Sequence, residues 1–289
     1  MPDQPSDAAP AFDVWSLKPP AAAGAAQEGG VEQVGEAGEA DDSRRRSRRQ
    51  PHEARTDWRL GGRTVFRWRE SVLAVALVSL GVSVLLGSLV AAVWPSPWAE
   101  ASATVILWIG MLVPIVWAFT RSRPIGLLRF RALDLLYGVV LGALLRTTQG
   151  WIEGLDGAPA ELPGLTQVDG ELTFSTLVLD AVAPVVAVPL IEEFFFRAVI
   201  LIALYTVLRR PFGKLTAGFA AALVSTALFV LVHGISGVSD ASGVVSLSLL
   251  GLVCSLLVLL TGRIWAAVLV HAVYNASFVG LALLISAFG

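Results

Sequence analysis

The stretch FSTLVLDAVAPVVAVPLIEEFFFRAVILIALYTVL (Phe174–Leu208) decides what kind of protein this is. It is 35 residues long and carries only Asp180, Glu192, Glu193 and Arg197 as charges. A bilayer's hydrocarbon core is about 30 Å thick and needs about 20 apolar helical residues. As one helix at ~1.5 Å per residue the stretch would reach ~52 Å. Such a helix must tilt, bend at Pro184 or Pro189, or run out along the membrane surface. A re-entrant break at Pro189 is the alternative.

Working outward, further apolar runs flank it. Ser71–Val93 is closed by Trp94-Pro95-Ser96-Pro97-Trp98, whose aromatics suit a membrane interface. Ala101–Thr120 and Ala132–Trp151 follow, the latter with Gly138 and Gly142 at a spacing that permits close helix packing. Beyond the long stretch come Leu215–His233, Val244–Thr261 and Ile264–Phe288. The fold class is therefore all-α, a polytopic transmembrane bundle of about seven spans, with eight possible. The basic connections choose between them. Arg121, Arg123, Arg129 and Arg131 follow the second run, Arg209, Arg210 and Lys214 follow the long stretch, and Arg263 precedes the last. If Phe174–Leu208 crosses once, all of these lie on the side of the Arg-rich N-terminal segment. The positive-inside rule then gives seven spans with a cytoplasmic N-terminus.

Hydrophobic residues make up 55% of the 289, which excludes a simple soluble domain. Residues 1–70 hold 12 acidic and 11 basic side chains, so the remainder is more apolar still. Residues 1–66 show no apolar period and read as a disordered cytoplasmic tail. Its Arg44–Arg49 run, with Arg59, Arg63, Arg67 and Arg69 beyond, suits an anionic inner leaflet. Residues 67–289 form the membrane domain. A net charge of −2 beside so much membrane gives no reason to expect a nucleic-acid partner. The expected setting is an integral protein of a prokaryotic plasma membrane.

Charges inside lipid are costly and need a reason. Glu193 and Arg197, four apart on one helix, can pair. Glu192 lies ~100° around the helix and has no local cation, so its partner must come from another helix. Phe229 and His233 share one face, and His271 and Asn275 share another. Asp134, Arg146 and Asp180 read as structural residues nearer helix ends. A carboxylate and an imidazole can polarise a water, and an imidazole N–H with a carboxamide can donate to a developing oxyanion. Together these groups suit hydrolysis of an amide or ester. The single Cys254 excludes a multi-cysteine metal site, and the zincin pattern HExxH is absent. Glu192, His233 and His271 could still hold Zn²⁺ by ligand type. The same polar core could also lock helices together or line a transport path.

Glu192-Glu193-Phe194-Phe195-Phe196-Arg197 resembles the EExxxR motif of the CPBP (Abi) family, the intramembrane proteases related to the eukaryotic CAAX prenyl endopeptidase and to bacteriocin-processing or immunity proteins. Phe229–His233 resembles the family's FxxxH motif, and His271–Asn275 its HxxxN motif. The run Thr261-Gly262-Arg263-Ile264-Trp265-Ala266 also has the family's look. The likeness covers about residues 130–285. Ala198 departs from it, since many members have Gly after the arginine. The resemblance implies a glutamic endopeptidase without metal or other cofactor, acting on a peptide or lipidated-peptide substrate. Glu192 and His233 would activate water, and His271 and Asn275 would stabilise the oxyanion. Glu193, Arg197 and Phe229 would support the site. The competing reading is a non-catalytic transporter, immunity or scaffold protein with the same polar core.

Overall fold

The computed structural model describes residues 56–60, 65, 67–96, 98–155, 177–238 and 240–288. The tail expected to be disordered lies almost wholly outside these. Six long helices follow: α1 (Glu70–Val93), α2 (Ala99–Arg121), α3 (Ala132–Leu155), α4 (Leu177–Ile235), α5 (Ala241–Thr261) and α6 (Trp265–Phe288). No strand occurs among the described residues.

α1 and α2 form an antiparallel hairpin. The Ser79 hydroxyl donates to Gly110 O at 2.6 Å, and a methyl group at Gly110 would strike Ser83. α3 instead runs alongside α6 in the same direction. A Cβ at Gly138 would sit 2.5 Å from Leu269 Cβ, and one at Gly142 2.8 Å from Val273 Cβ. The two glycines thus bring the backbones together, as their spacing predicts. The starts of the two helices are joined by a buried ion pair. Arg263 Nη2 lies 2.6 Å from Asp134 Oδ1, and Arg263 Nε donates to Asp134 Oδ2 at 3.1 Å. Arg263, one of the basic loop residues used to assign sidedness, therefore has its charge committed to Asp134.

α4 is two helical arms joined across a kink. The basic segment Arg209–Lys214 was expected to be a loop between two spans. The helix instead continues through Arg209, Arg210 and Pro211, and the chain reverses at Gly213, where φ is +78°. That left-handed geometry suits glycine, which has no Cβ to clash. No break occurs at Pro189. The first arm changes its winding instead. Leu177–Ala187 and Phe194–Leu201 are wide π-helical turns, and the α-helical Val188–Glu193 lies between them. Pro184 and Pro189 lack N–H donors, which loosens the ordinary ladder here.

Among the described residues, five helices are long and apolar enough to cross a membrane by length and composition: α1, α2, α4, α5 and α6. The difference from seven has two sources. Both arms of α4 belong to one element, and α3 carries Asp134, Arg146 and Glu153.

Thr56–Leu60 falls inside the stretch expected as disordered tail, and here the expected boundary at residue 66 is too late. Trp58 is buried, its indole N–H donates to Gly262 O at 3.1 Å, and its ring meets Tyr205 edge-on. Burial of a large aromatic with its one donor satisfied outweighs the polar character of the surrounding sequence. Beside it, burial pushes the Asp57 carboxyl up, but hydrogen bonds and charge from Arg59 outweigh this and hold it below the usual carboxylate range.

Candidate active site

The bend at Gly213 sets the site. Glu192 lies 21 residues before it and His233 20 residues after it. Folding two helical arms of nearly equal length back on each other brings these residues level. Other contacts keep the same register: Ser225 Oγ donates to Phe196 O at 2.8 Å, and Gly218 faces the Tyr205 ring.

Glu192 Oε2 is 3.8 Å from His233 Nε2 and 3.9 Å from His271 Nε2. It is buried and makes no direct hydrogen bond. The partner that Glu192 needed from elsewhere is thus a pair of imidazoles, one from the second arm of α4 and one from α6. Each imidazole is oriented through its other nitrogen. His233 Nδ1 lies 2.9 Å from Phe229 O, and His271 Nδ1 lies 2.9 Å from Glu193 Oε1. Both partners are acceptors, so Nδ1 is the hydrogen-bearing atom in the neutral rings. The Nε2 lone pairs then face Glu192.

Glu193 and Arg197 are completely buried, with Arg197 Nη1 3.0 Å from Glu193 Oε1. The approach is an ion pair whose angle falls outside hydrogen-bond geometry, and no other polar partner reaches the guanidinium. Its second contact is aromatic: Cζ stands 4.5 Å from the centre of the Phe229 ring. Phe229 also packs against His233 and His271, with ring centres 4.4 and 5.8 Å away. It is the apolar wall from which the guanidinium and both imidazoles take their positions.

Asn275 stands one turn beyond His271, and its amide donates to Pro184 O at 2.8 Å. In a π-helical ladder that carbonyl's donor would be residue 189, a proline with no N–H. Asn275 supplies the missing hydrogen bond and ties α6 to the first arm of α4. Sequence spacing gave no sign of this partner. The structure therefore brings Glu192, His233, His271, Glu193, Arg197 and Phe229 into one cluster, while the described bond of Asn275 goes to backbone. The anchors Asp134–Arg263 and Trp58–Gly262 escaped the sequence reading, because neither has a helical spacing to reveal its partner.

Among the described residues, no group of three His, Cys, Asp or Glu side chains has an arrangement that could hold a metal ion. Neither a curated protein nor a solved structure matches the chain. One family model does match, over residues 174–277, which hold all three motifs. That stretch of the chain is similar to the family described as Type II CAAX prenyl endopeptidase Rce1-like.

Proposed function

We propose that the protein is an intramembrane endopeptidase that hydrolyses a peptide bond with a water held between Glu192 and His233. The supporting observation is the separation of 3.8 Å between Glu192 Oε2 and His233 Nε2. It is too long for a direct hydrogen bond and suits a water bonded to both. Two acceptors that face each other would repel, and a water satisfies both by donating to each. Its oxygen lone pairs are then directed at a substrate carbonyl. As that oxygen attacks, one proton passes to the Glu192–His233 pair and is returned to the leaving amine. The carbonyl oxygen gains charge in the same step. His271 donates to it from Nε2 in its doubly protonated form, having taken a proton from solvent before the substrate binds, with Glu193 on the Nδ1 side balancing that charge. The second amide hydrogen of Asn275 is the other donor, while the first stays on Pro184 O.

These steps need only side chains, so no metal is proposed. Treatment with a chelator is expected to leave turnover unchanged; loss on chelation with return on adding Zn²⁺ would replace this mechanism. We further propose seven crossings, counting α3 and each arm of α4, in a prokaryotic plasma membrane with the N-terminus cytoplasmic. The parallel course of α3 and α6 supports that count, since both then start from the same side.

The decisive experiment compares the native protein with Glu192→Gln on a prenylated CaaX peptide in detergent micelles, together with membrane peptides from cells expressing either form. Cleavage lost in the variant at unchanged melting temperature supports the reading. Equal cleavage by both forms rejects it. Absence of cleavage in either, with membrane peptides also unchanged, favours a polar core that serves structure or transport.

A further inference from the structure

Arg146 is the charge that the proposed chemistry leaves unused. It lies within α3 on the stripe Gly138, Gly142, Arg146 that faces α6. α3 and α6 run in parallel from the Asp134–Arg263 pair. Arg146 is 12 residues beyond Asp134, and Asn275 is 12 beyond Arg263. Both therefore stand about 18 Å up the bundle, one turn past His271. Arg146 and Asn275 line the same cavity of about 270 Å³, together with Gln149, Pro184 and Tyr274.

The guanidinium is half-buried. Nη1 donates to Gln149 Oε1 at 2.8 Å, and Cζ stands 5.0 Å from the Phe278 ring centre. Among the described residues it has no carboxylate within ion-pair distance. The carboxylate on its own helix, Glu153, accepts from Gln149 Nε2 at 2.6 Å. The Tyr274 hydroxyl also bonds Gln149 Oε1. The neighbouring polar groups thus satisfy one another and hold the arginine at the cavity wall, where no carboxylate among the described residues matches its charge. The two buried arginines among the described residues, Arg197 and Arg263, each have a carboxylate. A cation on a cavity wall that no described carboxylate balances marks a place for an anion, and a planar guanidinium fork suits a carboxylate.

Resting on the endopeptidase reading, we infer that the Arg146 cavity is a subsite that binds a carboxylate of the peptide substrate, beside Asn275 and one helical turn from the bond that is cut. That carboxylate is either the chain's C-terminus or an acidic side chain near it. Gln149 holds the fork, and Phe278 limits it to one side.

The test measures binding to the full chain in detergent micelles, with three prenylated CaaX tetrapeptides as probes. One is a free acid ending in Ala, one its C-terminal amide, and one an amide ending in Glu. The acid is expected to bind at least about tenfold more tightly than the Ala amide. Arg146→Gln should bring the acid down to the amide's level, and Arg146→Lys should recover part of the difference. A Glu amide that matches the acid would make the side chain the source; one that matches the Ala amide would make it the C-terminus. Equal binding of acid and Ala amide by the native protein overturns the inference. So does an equal loss for all probes in Arg146→Gln at native melting temperature, or no saturable binding of any probe. Acid-selective binding without cleavage would reject the hydrolase and leave the subsite standing. Cleavage without acid preference would do the reverse.

Discussion

His271 Nδ1 and Glu193 Oε1 stand 2.9 Å apart, so the second glutamate of the pair holds the histidine that faces the first. Adjacent carboxylates thus serve different ends of one imidazole. Glu192 meets its Nε2 face, and Glu193 fixes its tautomer.

Glu193→Gln keeps an acceptor for His271 but removes the charge that balances the ring. Turnover is expected to fall on the order of a hundredfold with KM little changed. Glu193→Ala goes further, because Arg197 is left buried without a counterion. Its expected cost is about 3–5 kcal/mol of stability. Steady-state kinetics for the first and thermal unfolding in micelles for the second check these outcomes. A variant as active as the native protein would show that Glu193 is a bystander.

Asp134 and Arg263 join the starts of α3 and α6. Asp134→Ala should destabilise the protein by about 3–5 kcal/mol, since it leaves a buried guanidinium unpaired. The exchange Asp134→Arg with Arg263→Asp should recover part of that. Melting temperatures of the single and double variants decide it; purely additive losses would argue against a direct pair.

Gly142→Val places a branched side chain where a single Cβ would already be 2.8 Å from Val273 Cβ. Overpacking at such a contact costs about 1–3 kcal/mol. Gly150→Val on the same helix meets nothing within 4 Å and is the control. Equal melting temperatures for the two would contradict the close approach of α3 and α6.

Asp240 caps α5, accepting the Gly243 N–H at 2.7 Å. A hydrogen bond from Ser242, and then that from Gly243, holds its carboxyl below the usual range. A depressed carboxyl stabilises the fold above the unfolded-state value and loses that contribution as pH falls through the folded-state value. Asp240→Ala should therefore cost about 0.5–1 kcal/mol at neutral pH and progressively less in acid. Unfolding measured across pH 3–7 tests this; a pH-independent difference would remove the charge from the explanation.

Much of the helix pattern was legible because lipid allows few alternatives: the apolar runs set the helices to within a few residues. The clustering of Glu192 with His233 and His271 was also foreshadowed, since i,i+4 spacing exposes a polar face. The course of α4 was legible in part, since its turn at Gly213 falls inside the expected connection Arg209–Lys214. Arg209-Arg210-Pro211 reads as a stop, but the helix carries through it and turns only where Gly213 permits a positive φ. Asn275 showed its residue type but not its partner, because the carbonyl it serves is left open by a proline and a change of helical winding in another segment. Trp58 was hidden by the polar residues around it.

The indole of Trp58 lies against Gly262, at the foot of the helix that carries His271. Residues 56–60 are thereby moored there, ahead of the first long helix. Trimming the chain back to residue 55 spares this mooring, while trimming ten residues more cuts it.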